Sequence, residues 1–189
     1  MSDVKPVPYL DLVTQFKQLE GEWLETIKKT GAAGSFILGP NVGAFEQEFA
    51  KYCGVKHAIG VANGTDSLIL SLRALNIGPG DEVITSPFTF FASSEAIDVV
   101  GATPVFADIL PDSFCIDPDS VRKCITNKTK AILPVHIFGH TTEMQAIIPL
   151  ARQHGLAVAA DRAEAFGAGS GGTVVGSIGD TARNSSAPP

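Results

Sequence analysis

The stretch VKHAIGVANGTDSLIL, residues 55–70, decides the fold that this sequence predicts. Its first eight residues form a short, mainly apolar run that ends in Asn-Gly-Thr-Asp. Apolar residues then recur at helical spacing, at Leu68, Ile69, Leu72 and Leu75. This pattern predicts a strand, a tight turn and a helix in that order.

The turn at residues 63–66 has two open interpretations. It leaves several backbone N–H groups unpaired at the positive end of a helix dipole, and Thr65 adds a hydroxyl group. Such a terminus suits a phosphate or another anion. The same residue types also cap helices that bind no ligand at all. This stretch alone therefore leaves the choice between a structural cap and an anion site open.

The composition is typical of a globular domain with a sizeable core. The chain has 189 residues, of which 44% are hydrophobic and 18% are charged. Its formal net charge is −6, and its Lys and Arg residues are scattered along the chain. This balance argues against a dedicated nucleic-acid surface.

The amino-terminal sequence and the cysteines predict a cytoplasmic protein. The first residues lack the apolar core of a signal peptide, and no apolar run reaches transmembrane length, so no membrane contact is expected. Cys53, Cys115 and Cys124 have neither CxxC spacing nor a His-rich partner set. They fit reduced thiols, and no metal site is predicted.

The segment before the central stretch is expected to be helical. Residues 1–34 predict an extended arm followed by an amphipathic helix from Asp11 to Lys29, which Gly31 to Gly34 should break. This helix could cover the α/β region or meet another subunit. Its apolar stripe is formed by Leu12, Phe16, Leu19, Trp23, Leu24 and Ile27. A second helix is expected to end near Gly54.

Strands and helices are expected to alternate after the central stretch, which indicates an α/β fold with a mainly parallel sheet flanked by helices. The predicted strands are residues 82–85, 104–107, 129–135 and 156–160, and the predicted helices are residues 93–100, 117–124 and 142–154. One further short strand with a turn is predicted at 173–180. We assign 35–180 to one domain and expect 181–189 to be an unstructured tail.

Ligands of an open parallel sheet bind beyond the carboxyl ends of its strands. Those ends present residues 63–65, residues 86–90, Asp108, His136 and Asp161. Pyridoxal 5′-phosphate (PLP) would use most of this set, because it needs an anion site, a flat apolar face and a carboxylate for its pyridine nitrogen. Each residue also has a purely structural interpretation; Asp108, for example, could simply close a strand.

Several motifs together resemble the DegT/DnrJ/EryC/StrS family of PLP-dependent sugar aminotransferases, which have the aspartate aminotransferase fold. The resemblance covers about residues 8–180 and includes Gly39-Pro40 with Phe45-Glu46. The other matching segments are GVANGTDSLILSLRALNIGPGDEVITSPFTFFAS at 60–93, GATPVFADI at 101–109, KTKAILPVHIFGH at 128–140 and DRAEAFGA at 161–168. The resemblance implies that the chain is the incomplete large domain of such an enzyme.

The resemblance also implies a set of cofactor-binding residues. Gly64 and Thr65 would bind the cofactor phosphate together with the backbone of Asp66. Phe90 would stack on the pyridine ring, and Asp161 would pair with the pyridine nitrogen.

Two residues after the aspartate depart from the family pattern. Glu164 lies where the family usually has a glutamine that contacts the ring hydroxyl. An ionised carboxylate there accepts hydrogen bonds but cannot donate them, and it would repel a phenolate oxygen. Arg162 lies where a small residue is usual, and it could offset that charge or crowd the site.

The resemblance further implies a Schiff-base lysine some two dozen residues beyond the aspartate. This chain has nine lysines, and none of them follows Asp161. Only a primary amine serves this purpose, so we predict no catalytic residue here. We therefore expect a truncated enzyme that lacks its carboxyl-terminal small domain and does not catalyse transamination by itself.

The activity that the resemblance implies is amino transfer from an amino acid, glutamate in our interpretation, to a keto-sugar attached to a nucleotide. Such an enzyme would serve polysaccharide or antibiotic-sugar biosynthesis as a homodimer. The alternative is a non-catalytic fragment or pseudoenzyme that acts through ligand binding or dimerisation. A nicotinamide- or nucleotide-binding domain is disfavoured, because no GxGxxG follows the first predicted strand and GxxxxGK[ST] occurs nowhere in the sequence.

Overall fold

The structure is a computed structural model that describes residues 7–8, 10–170, 173–174 and 179–183. The chain divides into two compact units, Met1–Glu46 and Gln47–Pro189. The helices are α1 (Leu12–Ala33), α2 (Pro40–Cys53), α3 (Gly64–Ala74), α4 (Ala92–Val99), α5 (Pro118–Cys124) and α6 (Met144–His154). The strands are β1 (Glu82–Thr85), β2 (Thr103–Phe106), β3 (Thr129–Leu133), β4 (Ala157–Asp161), β5 (Gly169–Ser170), β6 (Thr173–Val174) and β7 (Thr181–Arg183).

The first unit contains the predicted amphipathic helix. Helix α1 begins after Asp11, whose carboxylate accepts hydrogen bonds from the Thr14 backbone N–H and hydroxyl. The helix continues through Gly31, where we expected a break, because a single glycine costs a helix only about 1 kcal/mol relative to alanine. It ends at Gly34, whose φ of 62° forms a left-handed cap. No residue of α1 is buried, so its apolar stripe lies exposed.

The second unit contains the predicted parallel sheet, with strand order β2-β1-β3-β4-β7. All four pairings are parallel, and Ile84 lies opposite both Val105 and Ile132. Apolar residues fill consecutive positions along the central strands because both faces of the sheet are covered. Val83 and Leu133 point into a core formed with α3 and α4.

The opposite face of the sheet carries its own core. Ile84, Ile132 and Val158 alternate with the residues of the first core and pack against α5 and α6. This period of two is the geometry of a pleated strand. Within the described part of the chain, no helix is long and apolar enough to cross a membrane.

The predicted strand at the start of the central stretch does not form. Residues 55–63 have no strand structure, and Ile59 is 81% exposed. A strand requires a neighbouring strand to complete its ladder of hydrogen bonds, and no β-strand pairing among the described residues involves this run. The turn and the helix that follow it are confirmed, because α3 begins at Gly64.

The prediction that residues 181–189 are unstructured was wrong for residues 181–183. Thr181–Arg183 forms β7, which pairs in parallel with Ala159–Asp161. The edge of β4 that faces away from β3 presents unpaired backbone N–H and C=O groups, and residues 181–183 hydrogen-bond to them. Sequence periodicity does not reveal such a pairing. Of the strand predicted at 173–180, residues 173–174 pair with β5, whereas 175–178 and 184–189 lie outside the described residues.

Candidate functional site

The amino terminus of α3 is both capped and open to an anion. Asn63 caps the helix, because its Oδ1 accepts a hydrogen bond of 2.9 Å from the Asp66 N–H. That bond occupies the Asp66 N–H, which we had expected to bind phosphate. Among the described residues, nothing accepts from the N–H groups of Gly64 and Thr65. The cap interpretation is therefore confirmed, and two N–H donors remain at the positive end of the helix.

Asp161 ends β4 with its carboxylate buried and firmly held. The residue is 3% exposed, and its Oδ1 accepts a hydrogen bond of 3.2 Å from the Ala163 N–H. Its Oδ2 accepts a bond of 3.1 Å from Ser93 Oγ, and Ser93 Oγ lies 3.1 Å from Thr89 Oγ1. Because the single Ser93 proton goes to the carboxylate, the Thr89 hydroxyl donates to Ser93. This relay fixes the orientation of the carboxylate.

Sequence reasoning missed Ser93. The residue lies in the first turn of α4 and is completely buried. It is separated from Asp161 by 68 positions, so no local pattern links the two. The only signal in the sequence was that Ser93 is a polar residue on the apolar side of a predicted helix. A buried hydroxyl group requires a hydrogen-bond partner.

Three of the predicted site residues line one cavity. Phe90, Asp161 and Glu164 line a cavity of about 100 Å³ at the carboxyl edge of the sheet, and Phe90 is 72% exposed. The remaining lining residues are Thr89, Val135 and Ala163. A buried carboxylate beside an exposed aromatic face fits a protonated pyridine ring. Gly64, Thr65 and Asp66 do not line this cavity; they belong to α3, which packs against β4.

Glu164 is oriented by the loop after β3. Its Oε2 accepts a hydrogen bond of 3.2 Å from the Phe138 backbone N–H. Phe138 lies in a short 3₁₀ turn, Ile137–Gly139, with a φ of 53°. Bulky residues rarely adopt this left-handed conformation. The turn therefore directs a backbone donor at the carboxylate.

Arg162 does not pair with Glu164. It is 1% exposed, and its Nη2 lies 3.1 Å from Cys53 Sγ. Its Nε has no hydrogen-bond partner within the described part of the chain. Within the described residues, no ion pair joins Arg162 to Glu164.

His136 is a buried neutral histidine. Its Nδ1 accepts a hydrogen bond of 2.9 Å from the Thr142 N–H, so the ring proton is on Nε2. Burial and, second, the Arg162 charge lower the pKa of His136 from 6.5 to about 4. Neither His136 nor Asp108 lines the cavity, and Asp108 Oδ1 accepts a bond from the Ile109 N–H.

The fold is that of an aminotransferase domain. The family model for the DegT/DnrJ/EryC1/StrS aminotransferase family matches residues 17–188, and the chain belongs to this family. The match extends eight residues beyond Asp180, where we expected the resemblance to stop.

Individual relatives agree with this assignment. The chain is 47% identical over 180 residues to the UDP-N-acetyl-3-dehydro-alpha-D-glucosamine 3-aminotransferase of Acidithiobacillus ferrooxidans, covering 95% of this chain and 49% of the relative. It is 46% identical over 162 residues to the dTDP-3-amino-3,4,6-trideoxy-alpha-D-glucose transaminase of Streptomyces venezuelae. That alignment covers 86% of this chain and 43% of the relative. The chain thus spans about half, or slightly less than half, of the length of the curated relatives it matches.

A solved structure supports the fold. The crystal structure of NtdA from Bacillus subtilis with bound cofactor PMP, the pyridoxamine form, superposes with a TM-score of 0.86 at 34% identity. The comparison covers 96% of this chain and 41% of that one. The predicted α/β fold, an incomplete large domain with a parallel sheet, is confirmed.

Proposed function

We propose that this chain contributes the cofactor-binding part of a PLP-dependent aminotransferase that acts on a nucleotide-linked keto-sugar. The donor substrate in this proposal is an amino acid, glutamate. The observation that carries the proposal is the cavity lined by Phe90, Asp161 and Glu164. The matched relatives, which are named as transaminases of UDP- and dTDP-sugars, support the same substrate class.

Each side chain has a defined role in this proposal. The cofactor, when bound, supplies an electron-withdrawing ring that stabilises negative charge on the substrate carbon. Asp161 keeps the ring nitrogen protonated, and the hydroxyl relay through Ser93 prevents its carboxylate from turning away. Phe90 covers one ring face. The N–H groups of Gly64 and Thr65 hold the phosphate.

No residue of this chain is assigned to the covalent attachment of the cofactor. The nine lysines all precede Asp161. The whole enzyme is proposed to work in the cytoplasm as a homodimer. The three cysteines are free in the structure, which agrees with a reducing compartment.

Binding of PLP to the full chain, measured by equilibrium dialysis, tests the proposal. Asp161→Asn keeps an acceptor for Ser93 but removes the charge, and we expect it to weaken binding about tenfold or more. Asp108→Asn is the matched control, because Asp108 also follows a strand but does not line the cavity. Equal binding by wild type and Asp161→Asn would contradict the proposal.

A further inference from the structure

Two buried side chains that do not line the cavity meet where α2 ends. Cys53 is the last residue of α2 and is 2% exposed, and Arg162, directly after β4, is also buried. The Nη2 of Arg162 donates a hydrogen bond of 3.1 Å to the Sγ of Cys53. The proposed function assigns no role to either side chain, so this contact needs its own explanation.

The contact leaves the Arg162 guanidinium poorly satisfied. Its Nε is buried and has no hydrogen-bond partner within the described part of the chain. The sulfur that faces Nη2 is only a weak acceptor. Because a buried donor without an acceptor loses its hydration and gains nothing in return, this arrangement favours any change that adds an oxygen acceptor beside the sulfur.

Oxidation of the sulfur adds such an oxygen. The Nε and Nη2 of Arg162 are bonded to the same guanidinium carbon, so an oxygen attached to Cys53 Sγ comes within reach of both donors. Hydrogen bonds from a charged donor are stronger than those between neutral groups. We propose that Cys53 is a site of oxidation by hydrogen peroxide to the sulfenic acid, and that Arg162 stabilises the oxidised side chain.

The oxidation needs hydrogen peroxide and no other reactant. The Cys53 sulfur attacks one peroxide oxygen, so that an S–O bond forms and the O–O bond breaks. The sulfur gives two electrons to the peroxide, and the departing hydroxide takes the thiol proton and leaves as water. A thiol reductant reverses the step, because it removes the oxygen as water and is itself oxidised to a disulfide.

Peroxide has a route to Cys53 from the end of the helix. The two neighbouring residues, Tyr52 and Gly54, are exposed, and α2 ends at Cys53. The end of a helix opens locally at a smaller free-energy cost than unfolding of the whole domain. Hydrogen peroxide is close to water in size, so a small opening admits it.

Cys115 is a matched control within the same chain. It is also 2% exposed, but its Sγ donates to the backbone carbonyl of His140 and contacts no cation among the described residues. Burial alone predicts equal oxidation of Cys53 and Cys115, whereas the Arg162 contact predicts a preference for Cys53. Cys124 is more exposed than both and does not enter this comparison.

The test treats the folded full chain with hydrogen peroxide, which catalase then removes. The chain is unfolded in the presence of dimedone, which traps sulfenic acids, and peptide mass spectrometry gives the trapped fraction at each cysteine. We expect about fivefold more trapping at Cys53 than at Cys115 in wild type, and about equal trapping at the two cysteines in Arg162→Met. Thermal melting checks that the variant is folded, and Arg162→Gln replaces it if it is not.

Three results would overturn the proposal. The first is equal trapping at Cys53 and Cys115 in the folded wild-type chain. The second is an unchanged ratio in the folded Arg162 variant, because the guanidinium then has no part in the preference. The third is the same ratio when peroxide is added to the chain in urea, because the preference then comes from the local sequence. None of these results depends on PLP binding, so the cofactor proposal is judged separately.

Discussion

Lowering the pH should destabilise this chain through His136. The pKa of this residue is lowered from 6.5 to about 4, mainly by burial and then by the Arg162 charge. In the unfolded chain the imidazole returns to its ordinary pKa and binds a proton below about pH 6.5. Between pH 6.5 and 4 the unfolded state therefore binds more protons than the folded state, and folding stability falls as the pH falls.

The size of the effect follows from the two pKa values. Each unit of difference is worth about 1.4 kcal/mol, so the interval from 6.5 to about 4 corresponds to about 3 kcal/mol. Stability from this residue is fully present above pH 6.5 and fully lost below pH 4. Against a total stability of about 5–15 kcal/mol for a typical domain, this loss is readily measured.

Urea denaturation between pH 4 and 8 measures this contribution. His136→Asn is the informative variant, because its Oδ1 can accept from the Thr142 N–H in place of Nδ1 while the titrating group is removed. The pH dependence of wild type should exceed that of the variant by about 3 kcal/mol. His140→Asn, at an exposed position of the same loop, is the matched control. Superimposable pH profiles for wild type and His136→Asn would refute the reasoning.

Three further predictions concern packing, capping and the buried charge. Ile132→Ala should lower the free energy of unfolding by about 2–5 kcal/mol, because Ile132 is fully buried; urea denaturation measures this loss, and one below 1 kcal/mol would contradict it. Asn63→Ala should cost about 1 kcal/mol by thermal melting through loss of the α3 cap, and Asn63→Ser should restore most of it. Arg162→Met should raise the pKa of His136, which NMR of the imidazole ring protons measures; an unchanged pKa would exclude the Arg162 charge as a cause. The same substitution should not reduce the free energy of unfolding, because it removes an imperfectly partnered buried charge.

The local sequence accounts for most of the secondary structure. The apolar runs that become β1, β3 and β4 are readable because their neighbours are turn residues, and Gly155 ends α6 with a φ of 65°. The cofactor residues Phe90, Asp161 and Glu164 were predicted through family motifs, and the structure places them around one cavity. Their binding roles remain predictions.

The contacts that set the site could not be derived from the sequence. The Ser93–Asp161 and Phe138–Glu164 bonds join residues 68 and 26 positions apart, and no periodicity encodes such pairs. The contact between Arg162 and Cys53 spans 109 positions. Each contact depends on which helices, strands and turns become neighbours in the folded chain.

The sequence by itself determined where strands and helices form in most of the second unit, because hydrophobic period, caps and turns act over a few residues. Only the tertiary structure decided that residues 55–63 form no strand and that Thr181–Arg183 do. The reason is physical: a strand is stabilised by hydrogen bonds to a neighbour. Whether a neighbour is present depends on the whole sheet.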